Sequence, residues 1–339
     1  MDSVEAPPKR RKIPQWLIPA IGYTVSAVSL VWSFSKFPYA QLGDHLRTLD
    51  WRWVWLAIGF EFAVYFFDAW RWRKLLAPVK EPSFGLCLQS VFVGLFANDV
   101  LPAKAGELIR CFLLSYETGI PLSLAFTSQI ILRLMDGLWI VMLYLMITRQ
   151  IDTHPMVRDG MWLVGIVVVV ASALVLFILF RRHHARHFFK NSSWAGRFVH
   201  LLDGLHRLGD WPALRNAMLI SGPYWLAQML AIWALTRSDK FDLGITAATF
   251  LLVVKAVGTM IPNAPASMGA YQATAIYGLK FLGVEPGIAQ IFAEIMFGFL
   301  TLPVAIGGAL AVAFTGVDIT ALHRRAAAHK AEVNGEQEA

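Results

Sequence analysis

Glu107 and Arg110 stand three residues apart in an apolar stretch, and Arg133 and Asp136 repeat that spacing in the next one. On a helix, positions i and i+3 share a face. Each couple therefore either neutralises itself or offers its charges to something else. An ionisable group in a membrane helix costs about 2.5–3.5 kcal/mol on insertion scales, which makes it a functional candidate by default. Lys104 adds positive charge just before Glu107. A half-helix starting near Gly106 would point its N-terminal dipole the same way. Lys104 and Arg110 at such a helix start suit a phosphate-bearing headgroup. Two other readings stand beside this one. The couples are purely structural, or they pair across segments, Arg133 with Glu107 and Asp136 with Arg110.

Further polar residues interrupt apolar sequence. Glu61 and Asp68 are seven apart, on one helical face with Tyr65 between them. They could line a polar cavity or carry protons. Glu61 is the stronger candidate, because Asp68 sits beside Trp70-Arg71-Trp72-Arg73, a pattern that reads as an interfacial belt. Asn98 and Asp99 precede Pro102 and either cap freed backbone groups or contact a headgroup. In the second half the intruders are Lys255, Gln272, Lys280 and Glu294. Lys255 is expected to face protein, with Glu294 in reach as a partner, while Lys280 snorkels.

None of this is a catalytic set. The sequence holds no P-loop, dinucleotide fingerprint, nucleophile elbow or zinc motif. His183, His184 and His187 are loosely spaced among basic neighbours that repel a cation, so a basic face meeting anionic lipid is the better reading. Cys87 and Cys111 form no paired framework and read as core thiols. The expectation is a protein without enzymatic activity, cofactor, metal or nucleic-acid partner. Its partners would be membrane lipids with an anionic or polar headgroup.

What must position these residues is a bundle of membrane helices. The chain of 339 residues is 57% hydrophobic and 16% charged, with mean hydropathy +0.53. Uncharged stretches reach the roughly 20 residues that cross a bilayer as helix. Spans are expected near 14–35, 53–71, 120–148, 161–180, 213–236 and 287–315. Two more apolar segments, 86–117 and 246–282, are broken centrally by one signature: Pro102-Ala103-Lys104-Ala105-Gly106 and Pro265-Ala266-Ser267-Met268-Gly269. Lipid penalises unsatisfied backbone, so broken helices persist only beside protein or a water-filled cavity. A matched pair of breaks, one per half, is a sequence pointer to a transport site.

Charge decides between crossing and returning. If the N-terminus is cytoplasmic and both broken segments return to their own side, inner loops hold seventeen Lys and Arg against seven outside. The positive-inside rule favours that layout. The fold class expected is an all-α polytopic membrane protein, with about six full spanning helices plus two broken re-entrant helix pairs in an inverted repeat. Residues 1–13 form a basic cytoplasmic N-terminus whose following apolar run is an uncleaved helix rather than a signal peptide. One integral membrane domain covers 14–318, with halves at about 53–148 and 213–315 and a cytoplasmic loop at 181–212. Residues 319–339 form a disordered cytoplasmic tail in a cell (inner) membrane protein.

The run from Asn98 to Arg110 reads N-x-x-L-P-x-x-x-G-E-x-x-R, and Arg133 to Asp136 reads R-x-x-D. This stretch resembles the lysylphosphatidylglycerol synthase transmembrane, or flippase-like, family (UPF0104). The stretch from Met260 to Gly308 is similar to that family's second conserved region, and the two together cover about a third of the chain. The resemblance implies a polytopic protein that moves a polar lipid between leaflets, or supports synthesis of a surface lipid or glycan. It places Asn98, Pro102, Gly106, Glu107, Arg110, Arg133 and Asp136 at family positions. Relatives tend to carry glutamate where Gln272 stands and arginine near Met296–Phe297. That departure turns the expectation from a lysyl lipid toward a neutral sugar-bearing or polycyclic one. The soluble aminoacyl-transferring domain fused in some relatives is not expected here.

The leading expectation is thus a lipid translocase working through Asn98, Asp99, Pro102, Lys104, Gly106, Glu107, Arg110, Arg133, Asp136, Glu61, Lys255, Pro265, Gly269, Gln272 and Glu294. Its competitors are a scaffold for a lipid or polysaccharide synthase and an integral-membrane lipid-modifying enzyme.

Overall fold

The computed structural model describes residues 39–101, 105–148, 162, 165–170, 172–173, 208–239, 241, 243–260 and 265–315. The expected first span, most of the span at 161–180, the histidine cluster, the tail, Pro102 and Lys104 lie outside them. Every regular element among the described residues is helical. Among the described residues four helices are long and apolar enough to cross a membrane, and the chain is a multi-pass membrane protein.

After the short α1 (Tyr39–Thr48), α2 (Trp51–Leu76) begins at Asp50, whose side chain accepts from Arg52 N at 3.0 Å. Its 26 residues span roughly 39 Å at 1.5 Å per residue. Ser83 caps α3 (Phe84–Val100) by accepting from Leu86 N at 3.3 Å. The chain turns back as α4 (Gly106–Thr118), stopped by Gly119 in the left-handed conformation (φ 72°), where glycine carries no Cβ penalty. α5 (Leu122–Ile147) completes the first half.

The second half repeats this order. α6 (Trp211–Ser238) corresponds to α2, α7 (Ile245–Gly258) and α8 (Ala270–Phe281) to the broken pair, and α9 (Pro286–Thr315) to α5. α2 and α6 make the most extensive helix contact among the described residues, and they run antiparallel. Asp50 N donates to Ser238 O at 2.9 Å, the Trp53 and Trp233 rings meet edge to face, and Arg71 Nη1 reaches Ser221 Oγ at 3.4 Å. Equivalent helices of the two halves thus point in opposite directions, which is the inverted repeat.

Both broken segments are hairpins. In the first, Cβ atoms built on Gly94 and Gly106 would come within 2.9 Å of Gly106 O and 1.8 Å of Gly94 O. In the second, Gly258 faces Thr274 and Gly278 faces Leu251. The first hairpin opens beside the C-terminal end of α2, where Lys80 Nζ donates to Thr118 O at 2.6 Å. The second opens beside the C-terminal end of α6, which lies against the start of α2. The hairpins therefore enter from opposite ends of the bundle. Each leans on the last long helix of the other half, α3 on α9 and α7 on α5, and α3 also packs on the 265–267 turn. Cys87 and Cys111 are buried and not joined to each other, as expected of core thiols.

Candidate functional site

Where the two hairpin tips approach, the bundle holds a cavity of about 610 Å³. Glu61, Asp68, Asn98, Asp99, Glu107, Arg133, Asp136 and Lys255 bring charge or polarity to its wall, alongside Tyr65, Tyr224, Trp225 and Tyr271. Both halves contribute.

On the first-half side lies a closed ring of alternating charge. Arg71 Nη2 stands 2.7 Å from Asp68 Oδ1, and Arg71 also binds Asp136 with both terminal nitrogens, Nη2 to Oδ2 at 3.2 Å. Asp136 Oδ2 accepts from Arg133 Nη1 at 3.4 Å, and Arg133 Nη2 donates to Glu107 Oε1 at 2.5 Å. Glu107 in turn pairs with Arg110, and Arg110 Nη1 reaches back to Asp68 Oδ2 at 3.4 Å. Every carboxylate in the ring holds two guanidinium groups and every guanidinium two carboxylates. Such reciprocity is what allows ions to remain out of water, since a buried charge is tolerated only when paired and hydrogen-bonded. Gln129 adds an acceptor to Arg110, and Arg71 lies 3.9 Å from the centroid of the Tyr224 ring. The ring ties α2, α4 and α5 together.

The ring corrects three expectations. Asp68 and Arg71 do not belong to an interfacial belt; they are 8% and 1% exposed and sit inside the protein. Arg71 therefore leaves the inner-loop charge count. Asp136 is held by Arg71 and Arg133, while Arg110 turns to Asp68 and Glu107, so the cross-pair of Asp136 with Arg110 is replaced by a longer circuit. Arg110 is 3% exposed and does not reach the cavity wall, so it is not placed to meet a headgroup. The expected Arg133–Glu107 pair is present.

The hairpin tips are held by side-chain amides. Asn98 Oδ1 accepts from Gly106 N at 2.8 Å, which caps α4 across the break. Gln272 Oε1 accepts from Gly269 N at 2.7 Å, and its Nε2 donates to Glu294 Oε2 at 3.4 Å. The second tip is wound into a 3₁₀ turn (Pro265–Ser267) with Ala266 and Ser267 at φ 55° and Gly269 at φ 82°. Positive φ is costly for residues with a Cβ, so local strain concentrates at this tip. Gly106, Gly269, Gln272 and Glu294 build the tips and their supports rather than the cavity wall, and Pro265 opens the 3₁₀ turn.

Glu61 lines the cavity and accepts from Tyr65 Oη at 2.7 Å. Lys255, from the second half, also lines the cavity, its Nζ 5.8 Å from the Tyr271 ring centroid. Residues missed from the sequence are Arg71, Gln129 and Tyr224. The signal for Arg71 was present: Asp68 and Arg71 share the i, i+3 spacing of the other two couples.

These features define an α-helical membrane protein whose two inverted halves enclose a charged internal cavity. The lysylphosphatidylglycerol synthase TM region family matches residues 20–322, and the chain belongs to it. It is similar to a UPF0104 membrane protein of Methanothermobacter thermautotrophicus, 33% identical over 96 residues, which is 27% of each chain. It is also similar to a UPF0104 membrane protein of Methanocaldococcus jannaschii, 23% identical over 200 residues, covering 56% of this chain and 82% of that one. The chain thus spans about a quarter of the first relative and most of the second. No solved structure matches it.

Proposed function

We propose that this protein moves a polar lipid, or a lipid-linked precursor, between the leaflets of the cytoplasmic membrane. The headgroup would pass through the internal cavity while the acyl chains stay in the bilayer. One observation carries the reading: a charged cavity of about 610 Å³ lies where hairpins entering from opposite ends meet. That volume falls within the roughly 300–1,000 Å³ of small-molecule sites. Inverted repeats around a midplane site support alternating access by rocking one half against the other. In this reading both termini and the open end of the first hairpin are cytoplasmic, where Arg73, Lys74 and Lys80 cluster. The wall residues bind and orient; none of them is assigned a catalytic role.

The test is reconstitution into liposomes with tail-labelled lipids of several headgroup classes. Label should become protected or accessible faster with protein than without. Rates equal to protein-free vesicles for every class would overturn the reading.

A further inference from the structure

We propose that Arg133 is the phosphate-binding residue of the cavity, and that it takes a phosphate oxyanion in exchange for its contacts to Glu107 and Asp136. The inference deepens the translocation reading and uses it for one of its two readouts.

Three guanidinium groups share the ring, but they differ in access. The side chains of Arg71 and Arg110 are 2% and 3% exposed, whereas that of Arg133 is 53% exposed and lines the cavity. Lys255 is the other basic residue on the wall, but it belongs to the second half, stands over the Tyr271 ring and is not a member of the ring of charges.

The circuit makes Arg133 replaceable as well as reachable. If Arg133 swings out, Glu107 keeps Arg110 and Asp136 keeps Arg71. What remains is an open chain in which no carboxylate loses its last guanidinium. Arg71 and Arg110 have the same redundancy of partners, but both are buried off the cavity wall and have no ligand to turn to. A guanidinium is also a planar fork that meets phosphate oxygens two at a time, a match that an ammonium lacks.

A second consequence concerns the first hairpin. Arg133 is on α5 and Glu107 on α4, so the exchange removes an ion pair that joins the hairpin to α5. Phosphate binding would loosen that tie at the moment the headgroup occupies the cavity. This couples occupancy to hairpin movement through a differential contact, as a ligand-driven shift requires.

The experiment compares tail-labelled phosphatidylethanolamine with a tail-labelled glucosyl diacylglycerol, which has no phosphate. Proteoliposomes carrying wild type, Arg133→Gln or Arg133→Lys report the ratio of the two translocation rates. Arg133→Gln should lower the phospholipid-to-glucolipid ratio about tenfold, the loss of one charge-assisted contact. Arg133→Lys should restore part of it. An unchanged ratio in Arg133→Gln overturns the assignment, even if both rates fall together. If wild type moves neither lipid, binding of the same two lipids to detergent-purified protein decides the assignment. Phosphatidylethanolamine binding weakened about tenfold in Arg133→Gln relative to the glucolipid supports the phosphate site, and equal weakening overturns it. Millimolar inorganic phosphate separates the sources. Competition lost in Arg133→Gln supports a site that also takes the free ion, and no competition alongside the altered ratio supports a lipid-borne phosphate alone.

Discussion

Asp68 and Arg71 stand one helical turn apart on α2, with 2.7 Å between Oδ1 and Nη2 and almost no exposure. Arg71 is also the group that joins Asp68 to Asp136, so it spans the ring from α2 to α5. Arg71→Leu would leave Asp68 with Arg110 and Asp136 with Arg133, each at 3.4 Å. Breaking a buried pair by removing one partner costs about 3–5 kcal/mol. Thermal unfolding in detergent should show a fall of that order. Arg71→Leu with Asp136→Asn should recover part of it, because a buried carboxylate left with a single long contact is gone. Arg71→Lys should behave more like the leucine variant than like wild type, since an ammonium cannot bridge two carboxylates as a planar fork does.

Gly106 is the tightest point of the first hairpin. A Cβ there would lie 1.8 Å from Gly94 O, a backbone atom that cannot rotate away, and 2.7 Å from Asn98 Oδ1. Gly106→Ala should therefore force α3 and α4 apart and disturb the cap on Gly106 N. The expected outcome is a large drop in the unfolding midpoint. Gly85→Ala on the same hairpin is the control, since a Cβ at Gly85 meets nothing within 4 Å. Replacing that helical glycine should be neutral or stabilising by up to about 1 kcal/mol. Equal midpoints for the two variants would contradict the close-packed hairpin.

Glu61 tests the cavity without dismantling the fold. It accepts from Tyr65 Oη and is not a member of the ring, and a hydrogen bond to a charged group is worth about 1.5–3 kcal/mol. Glu61→Gln keeps the shape and an acceptor, so the unfolding midpoint should move little. In proteoliposomes its translocation rate should fall about tenfold, the scale of one charged contact. A normal rate would remove Glu61 from the path.

The broken segments, the long helices and the Arg133–Glu107 pair were legible because each rests on local pattern: proline and glycine in apolar sequence, and charges one turn apart. Asp68 and Arg71 were misread for the same reason. The neighbouring tryptophans give them the local look of an interfacial belt, and only packing against α5 and α6 shows that Trp72 donates to Ser128 Oγ at 2.8 Å inside the protein. Gln129 and Tyr224 carry no charge and so left no mark against an apolar background. The asymmetry between halves was legible in outline. Aligning Gly106 with Gly269 puts Ala270 and Ala273 where Glu107 and Arg110 stand, so the second half has no matching couple. That Gln272 would cap its own hairpin tip depends on the positive φ at Gly269, which sequence does not reveal.

The inverted repeat makes a prediction about sidedness that needs no lipid substrate. Glu117 lies at the open end of the first hairpin and Gly244 at the open end of the second, and both are exposed. Gly244 has φ −70° and open space around a Cβ, so cysteine fits there without strain. With Cys87 and Cys111 replaced by alanine, Glu117→Cys and Gly244→Cys should react with a membrane-impermeant maleimide from opposite faces in cells and inside-out vesicles. If Arg73, Lys74 and Lys80 mark the cytoplasmic side, Glu117→Cys is the one that labels in inside-out vesicles. Labelling of both from one face would mean that one hairpin crosses the bilayer. The antiparallel contact of Asp50 with Ser238 would then not reflect the fold in the membrane, and the cavity between the tips would lose its two-sided access.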